Sequence, residues 1–114
     1  MPKHKNLIVW QKAHELAIKV YKITETFPPK ESFGITSQIR RAVLSVPTNI
    51  VEGYSRSTKK ELSRFIDIAR GSLAETEYLL EFAKELGYIG EDTAGIENLI
   101  VEVGKLLWGF QKKL

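Results

Sequence analysis

The chain has 114 residues, 43% hydrophobic and 27% charged, with no cysteine and a net charge of +3. That length corresponds to one domain burying roughly two-thirds of its unfolded surface, and the apolar content excludes a disordered chain. The lack of cysteine excludes disulfides and thiolate metal sites and leaves the cytoplasm as the expected compartment.

The start, MPKHKNLIVWQKAHE, holds a short apolar run before charges return, so neither a signal peptide nor a membrane span is expected. From Leu7 to Phe27 the residues Val9, Ala13, Leu16, Val20, Ile23 and Phe27 recur at steps of four and three, one stripe of a helix. Trp10, Ala17 and Tyr21 form a second stripe beside it. Pro28 and Pro29 end the helix, because proline supplies no N–H and disfavours helical geometry in the residue before it.

A second helix starts between Gly34 and Ser37 and runs to Gly53, with Ile35, Ile39, Ala42, Val46 and Ile50 inward. Gly53 reads as its left-handed C-terminal stop. Pro47 sits inside the helix, where it removes one backbone bond and pushes the chain away from the Val43 carbonyl. The expectation is a bend, with Ser45 and Thr48 bonding to the loosened backbone. Asn49 and Glu52 would then wrap over the bundle or reach a neighbouring subunit.

After the turn SRST, Thr58 and Glu61 have capping-box spacing at the start of a third helix. Leu62, Ile66, Ala69, Leu73, Thr76, Leu80 and Ala83 make one row. Phe65, Ile68, Ser72, Glu75, Leu79, Phe82 and Leu86 make the next. Gly87 closes the helix, with Tyr88 or Ile89 packing back over its last turn. The last helix runs from about Asp92 to the C-terminus, with Ile96, Leu99, Val103, Leu106 and Phe110 inward. The links are short, so the expected fold is all-α: an antiparallel up-down-up-down four-helix bundle over residues 1–114, a rod roughly 30 Å long.

This bundle carries more apolar surface than one copy needs. The last helix adds Ile100, Val101, Leu107 and Trp108 and is apolar almost all round. Contiguous exposed patches are rare on monomers, so the helix faces are expected to bind further copies of the chain. Trp10, Tyr21, Pro47, Val101 and Trp108 are the candidate interface residues. Gly104 and Gly109 fit close backbone approach, since a helix-interior glycine otherwise costs about 1 kcal/mol.

Catalytic machinery is not legible. His4 and His14 are ten residues apart without a carboxylate cluster at ligand spacing, so no metal site is expected. No Ser-His-Asp set, cysteine nucleophile or glycine-rich phosphate loop occurs. Glu75 and Glu77 point to different helix faces and cannot act as an acid/base pair. No cofactor and no enzymatic activity are expected.

The polar residues among the apolar rows carry more. Gln38, Asn49, Glu52, Ser72 and Glu75, with Arg41 and Arg70, lie along the seams of the second and third helices, where they can fix register between helices or subunits. The charge is also uneven. Residues 1–70 hold thirteen Lys/Arg against six Asp/Glu, a net of +7, and residues 71–114 hold four against eight, a net of −4. Arg40, Arg41, Arg56, Lys59, Lys60, Arg64 and Arg70 are the candidate contacts to nucleic-acid phosphates. No aromatic interleaving supports single-strand stacking.

Five motifs then point to a family: VWQKA (Val9–Ala13), FP (Phe27–Pro28), QIRRA (Gln38–Ala42), SVPTNIVEG (Ser45–Gly53) and ARGSLAETE (Ala69–Glu77). Over about Leu7 to Leu86 the chain resembles the four-helix-bundle proteins encoded by 23S rRNA intervening sequences. Thr76 and Val51 depart from the leucine and alanine usual there, both as packing changes. The resemblance implies ring-shaped homopentamers and relates the chain to accessory variability proteins of retroelements, basic barrels that engage reverse transcriptase and nucleic acid. It implies no established activity. The leading expectation is a non-enzymatic oligomeric bundle acting as an RNA- or DNA-associated scaffold. The alternatives are an adaptor for a protein partner such as a reverse transcriptase-like protein, and a small-ligand binder at the Arg/Asn/Glu seam.

Overall fold

The computed structural model describes residues 3–90 and 93–114. It contains α1 (Ile8–Ile23), α2 (Ile35–Tyr54), α3 (Lys59–Glu85) and α4 (Ala94–Lys112), with 3-10 turns at Lys3–Asn6, Thr24–Thr26 and Pro29–Glu31. No strand occurs among the described residues. The Asp92 start expected for α4 lies outside them.

Direction is set by contacts at the helix ends. Gly53 of α2 lies against Leu62 and Phe65 of α3, while Glu31, ahead of α2, accepts a 2.8 Å hydrogen bond from Tyr88, beyond α3. Gln111 of α4 donates to the Ser63 carbonyl near the start of α3, and Lys84 near its end pairs with Glu97. Lys12 near the start of α1 pairs with Glu102 of α4, and Lys22 and Ile23 at its end line one pocket with Gly95 and Ile96 at the start of α4. So α2–α3, α3–α4 and α1–α4 are each antiparallel, and the rod measures 43 × 25 × 24 Å. It is longer than expected because α3 alone, at 27 residues, spans about 40 Å.

The inward rows expected from periodicity supply most of the core, joined by Val43, while Ile23, Ile35, Leu62, Ile96, Leu106 and Phe110 are only partly buried against it. Leu16, Val20, Ile39, Val43, Val46, Ile50, Ile66, Val103 and Leu107 are fully buried. Thr76, fully buried on α3, donates 2.8 Å to the Ser72 carbonyl, which satisfies its hydroxyl inside the helix. Ile100 and Leu107 also face this core, so the surplus on α4 reduces to Val101 and Trp108.

The first helix ends at Ile23 and passes into the 3-10 turn Thr24–Thr26, so Phe27 packs on the core from an extended backbone and not from α1. Three further local expectations change. Gly53 is not a left-handed stop: α2 continues to Tyr54, and Gly87 is the positive-φ glycine, at 79°. Gly53 is buried because a Cβ there would sit 2.9 Å from both Leu62 Cδ1 and Phe65 Cβ, so only glycine lets α2 and α3 approach this closely. Gly87 does end α3, with Tyr88 N–H donating to the Ala83 carbonyl and Gly87 N–H to the Lys84 carbonyl. Gly104 meets Leu73 Cδ2 at an ordinary 3.5 Å and Gly109 meets nothing within 4 Å, so neither serves a close approach within the chain.

Pro47 is the third. It lies buried inside a continuous α2, so it belongs to the chain's own core and is removed from the candidate interface. Asn49, rather than Thr48, supports the backbone here, donating 2.8 Å to the Ser45 carbonyl and hydroxyl. Pro47→Ala restores a donor to the Val43 carbonyl, a gain of about 3 kcal/mol against about 2 kcal/mol of lost ring burial. The variant is expected to be about 1 kcal/mol more stable in chemical denaturation, with the native mass unchanged.

Glu31 ties both ends of the α2–α3 hairpin. One carboxylate oxygen accepts from the Ile35 N–H at the start of α2, and the other accepts from Tyr88. Donating to this carboxylate raises the half-buried Tyr88 phenol above its ordinary 10.0, with desolvation and the Glu31 charge adding in the same direction. A raised phenol stabilises the fold below the unfolded-state value and loses that contribution as pH climbs through the folded value. Tyr88→Phe is expected to remove this alkaline loss from a Tm profile across pH 9 to about 12.

Candidate nucleic-acid interface

The antiparallel arrangement gathers three separated pieces of chain at one end of the rod. These are the N-terminal turn, which packs on α1 and α2, the α2–α3 connection, and the C-terminal end of α4. Lys3 and Lys5 come from the first, Arg56, Lys59, Lys60 and Arg64 from the second, and Lys112 and Lys113 from the third; all are exposed. Thr58 caps α3 here, its hydroxyl accepting 3.1 Å from the Glu61 N–H. The cap fixes where the chain turns and therefore where Lys59 and Lys60 emerge. Lys59, Lys60 and Arg64 form no ion pair among the described residues. Arg56 pairs with Glu52 at 3.2 Å and covers the Phe65 ring at 4.9 Å. The opposite end carries Glu25, Glu31, Glu77, Glu81 and Glu85 among Lys22, Lys30 and Lys84, so the excess of cations is confined to the first end.

The seven cations expected to act together therefore separate. Arg56, Lys59, Lys60 and Arg64 share the basic end. Arg40 is half-buried between α1 and α2: its Nε donates 2.9 Å to the Thr24 hydroxyl, a terminal nitrogen donates 3.2 Å to the Tyr21 carbonyl, and the group lies 4.8 Å over the Tyr21 ring. It is a structural tie. Arg70 donates to Gln111, whose amide in turn donates to Asp67 at 2.7 Å, joining α3 to α4. Arg41 is exposed in the other half of α2 and donates to Ser37. The reading from sequence missed Lys3, Lys5, Lys112 and Lys113, although antiparallel helices place both termini beside the α2–α3 turn.

The residues expected along the polar seam are brought together only in part. Gln38, Arg41, Ser45, Ser72 and Glu75 line a shallow cleft of about 430 Å³ between α2 and α3. Ser72 donates 2.9 Å to Ser45, itself bonded by Asn49, so one hydrogen bond crosses between the two helices at the floor. Glu52 lies beyond this cleft, paired with Arg56.

Trp10 is half-buried between His4 and His14, with ring centroids 4.9 Å away on each side. That accounts for both histidines as packing partners, and among the described residues no group of His, Asp and Glu is arranged to hold a metal. Tyr21 sits at the margin of exposure under Arg40. Val101 and Trp108 are each 52% exposed, the open part of the candidate interface.

The family model described as 23S rRNA-intervening sequence protein matches residues 5–109, almost the whole chain. The chain belongs to this family. A crystal structure of a protein of unknown function from the S23 ribosomal protein family of Bacteroides thetaiotaomicron VPI-5482 is similar to this intervening-sequence family member. It has a TM-score of 0.81 and 28% identity, covering 92% of this chain and 99% of that one. No curated protein matches significantly. Among the described residues of this family member, no helix is long and apolar enough to cross a membrane.

Proposed function

We propose that this protein is a non-enzymatic, self-associating helical bundle that docks on RNA or DNA through its basic end, in the cytoplasm. The convergence of exposed cations from three chain segments, several without an ion-pair partner among the described residues, supports the reading. Such a surface binds the phosphate backbone by releasing counterions, with little sequence preference. Each of about five phosphate contacts would contribute about −0.7 to the log–log salt slope on a single strand. Fluorescence anisotropy with RNA and DNA oligonucleotides of unrelated sequence is expected to give a slope of about −3.5 and similar affinities. No binding at low ionic strength would remove nucleic acid from the reading.

Self-association is supported by the exposed large side chains, among them Ile18, Leu44, Val101 and Trp108. The assembly implied by the family resemblance is a homopentameric ring. Mass measurement of the native assembly before and after nuclease treatment reads copy number and bound nucleic acid together.

A further inference from the structure

The basic end of the rod carries ring faces as well as cations. Chain order shows no aromatic interleaving among those cations, but the fold supplies it. The last residue of α2 is Tyr54, 38% exposed, at the turn that presents Arg56, Lys59 and Lys60. The end of α4 brings Trp108, 52% exposed, to the same end of the rod one turn before Lys112 and Lys113. Phe65 of α3 lies under Arg56, and Trp10 of α1 is flanked by His4 and His14. Tyr54 and Trp108 are therefore the rings at this end that are open to a ligand.

Exposure alone does not select these two rings, since Phe33, Tyr78 and Phe82 are exposed at the opposite end. The charges around them do. Within one helical turn of Tyr78 and Phe82 stand Glu75, Glu77, Glu81 and Glu85 against Lys84 alone, a setting that repels phosphate. Within one turn of Trp108 along α4 there is no carboxylate side chain, and Lys105 and Lys112 are exposed on either side. Asp67, facing α4 from α3, is engaged by the Gln111 amide at 2.7 Å. The Lys112 ammonium lies 4.7 Å over the Trp108 ring. An indole paired with a cation on a flexible stem can take two parts of a nucleotide at once: the base stacks on the ring, and the ammonium swings from the ring onto the phosphate.

We infer that the basic end is a site for single-stranded nucleic acid, with unpaired bases stacked on Trp108 and Tyr54 while Lys112, Lys59 and Lys60 hold the phosphates. In a duplex the bases are stacked on one another and their faces are closed, so a duplex makes the phosphate contacts alone. The helices α2 and α4 are diagonal in the bundle, each packed on α1 and α3. A strand touching both rings therefore crosses the end of the rod, the face to which the three chain segments deliver their cations. The inference rests on the nucleic-acid docking proposed above and narrows it to strands with free bases. It commits Trp108 to the strand and leaves Ile18, Leu44 and Val101 for contacts between copies.

The test is fluorescence anisotropy on the purified, nuclease-treated chain with a labelled oligonucleotide of about 12 nucleotides, alone and annealed to its complement. At about 0.2 M salt the single strand is expected to bind about tenfold more tightly than the duplex, and the margin should widen as salt rises, because stacking releases no counterions. Trp108→Ala is expected to weaken single-strand binding about tenfold while leaving the salt slope, the duplex affinity, Tm and the native mass in place. Trp108→Phe keeps a ring and should retain most of the affinity, but the strand should quench its tryptophan emission less than that of the wild type. Tyr78→Ala, at the opposite end, should bind as the wild type does. Equal affinity for strand and duplex at every salt concentration, or an equal loss on both in Trp108→Ala, overturns the stacking site but leaves phosphate docking standing. No binding of either overturns both. A lower native mass in Trp108→Ala puts the ring between copies and also overturns the inference. If Trp108→Ala unfolds, the emission decides: equal quenching in the wild type and Trp108→Phe overturns the site.

Discussion

Exchanging Lys59, Lys60 and Arg64 for glutamine together is expected to weaken oligonucleotide binding about 100-fold at 0.1 M salt and to flatten the log–log salt slope by about 2. The three side chains are exposed and form no internal ion pair among the described residues. Their loss should therefore change stability by less than about 0.5 kcal/mol. A binding defect in this variant would then report the surface and not the fold. The same exchange at Arg40 is expected to do the reverse. It breaks the bonds to Thr24 and Tyr21 that tie α1 to α2, lowering stability by about 2 kcal/mol because charged hydrogen bonds between the two helices are lost. Comparing Tm and anisotropy for the two variants separates a phosphate contact from a structural arginine.

Gly53→Val is expected to destabilise the chain by about 3 kcal/mol, the upper part of the range for forcing added carbon into a packed interface. The obstruction is rigid on one side. Phe65 Cβ lies 2.9 Å from where the new Cβ must go and is fixed to the α3 backbone, while Leu62 Cδ1, at the same distance, can rotate away. The α2–α3 hairpin would have to open at the end that presents Arg56, Lys59 and Lys60, so oligonucleotide affinity should fall with stability. Gly71→Ala is the control. It lies exposed in α3 with nothing within 4 Å of its would-be Cβ, and it should gain up to about 1 kcal/mol of helix propensity. Urea denaturation of the two variants should give shifts of opposite sign.

Much of the fold was legible because helix periodicity is a local property. The stripe through Val9, Leu16 and Val20, the row through Ile66, Leu73 and Leu80, the Thr58 cap and the Gly87 terminus need only side-chain spacing and backbone chemistry, and each is where the pattern put it. The role of Gly53 was not legible. Left-handed stop and close-packing glycine look alike in one dimension, and only the α3 atoms 2.9 Å away distinguish them. Pro47 failed as an interface residue for a related reason. A proline inside a helix announces a missing donor but not which way its ring faces, and here it faces the core.

The candidate site was legible only in part. A run such as Arg56 to Arg64 is visible as charge, but the commitments of single arginines are not. Arg40 and Arg41 are adjacent in sequence, about 100° apart around α2, and one is locked under α1 while the other meets solvent.

By itself the amino-acid order determined the number of helices, most of their inward faces, the Gly87 stop of α3 and the family, since each depends on neighbours within a few turns of chain. Tertiary structure alone decided which charges share a surface. Antiparallel packing folds residues more than a hundred positions apart onto one end of the rod, bringing Lys3 and Lys113 to the α2–α3 turn, and it leaves Val101 and Trp108 on the open face of α4. Electrostatic and apolar complementarity act through space, over distances that the chain's own sequence separation does not encode.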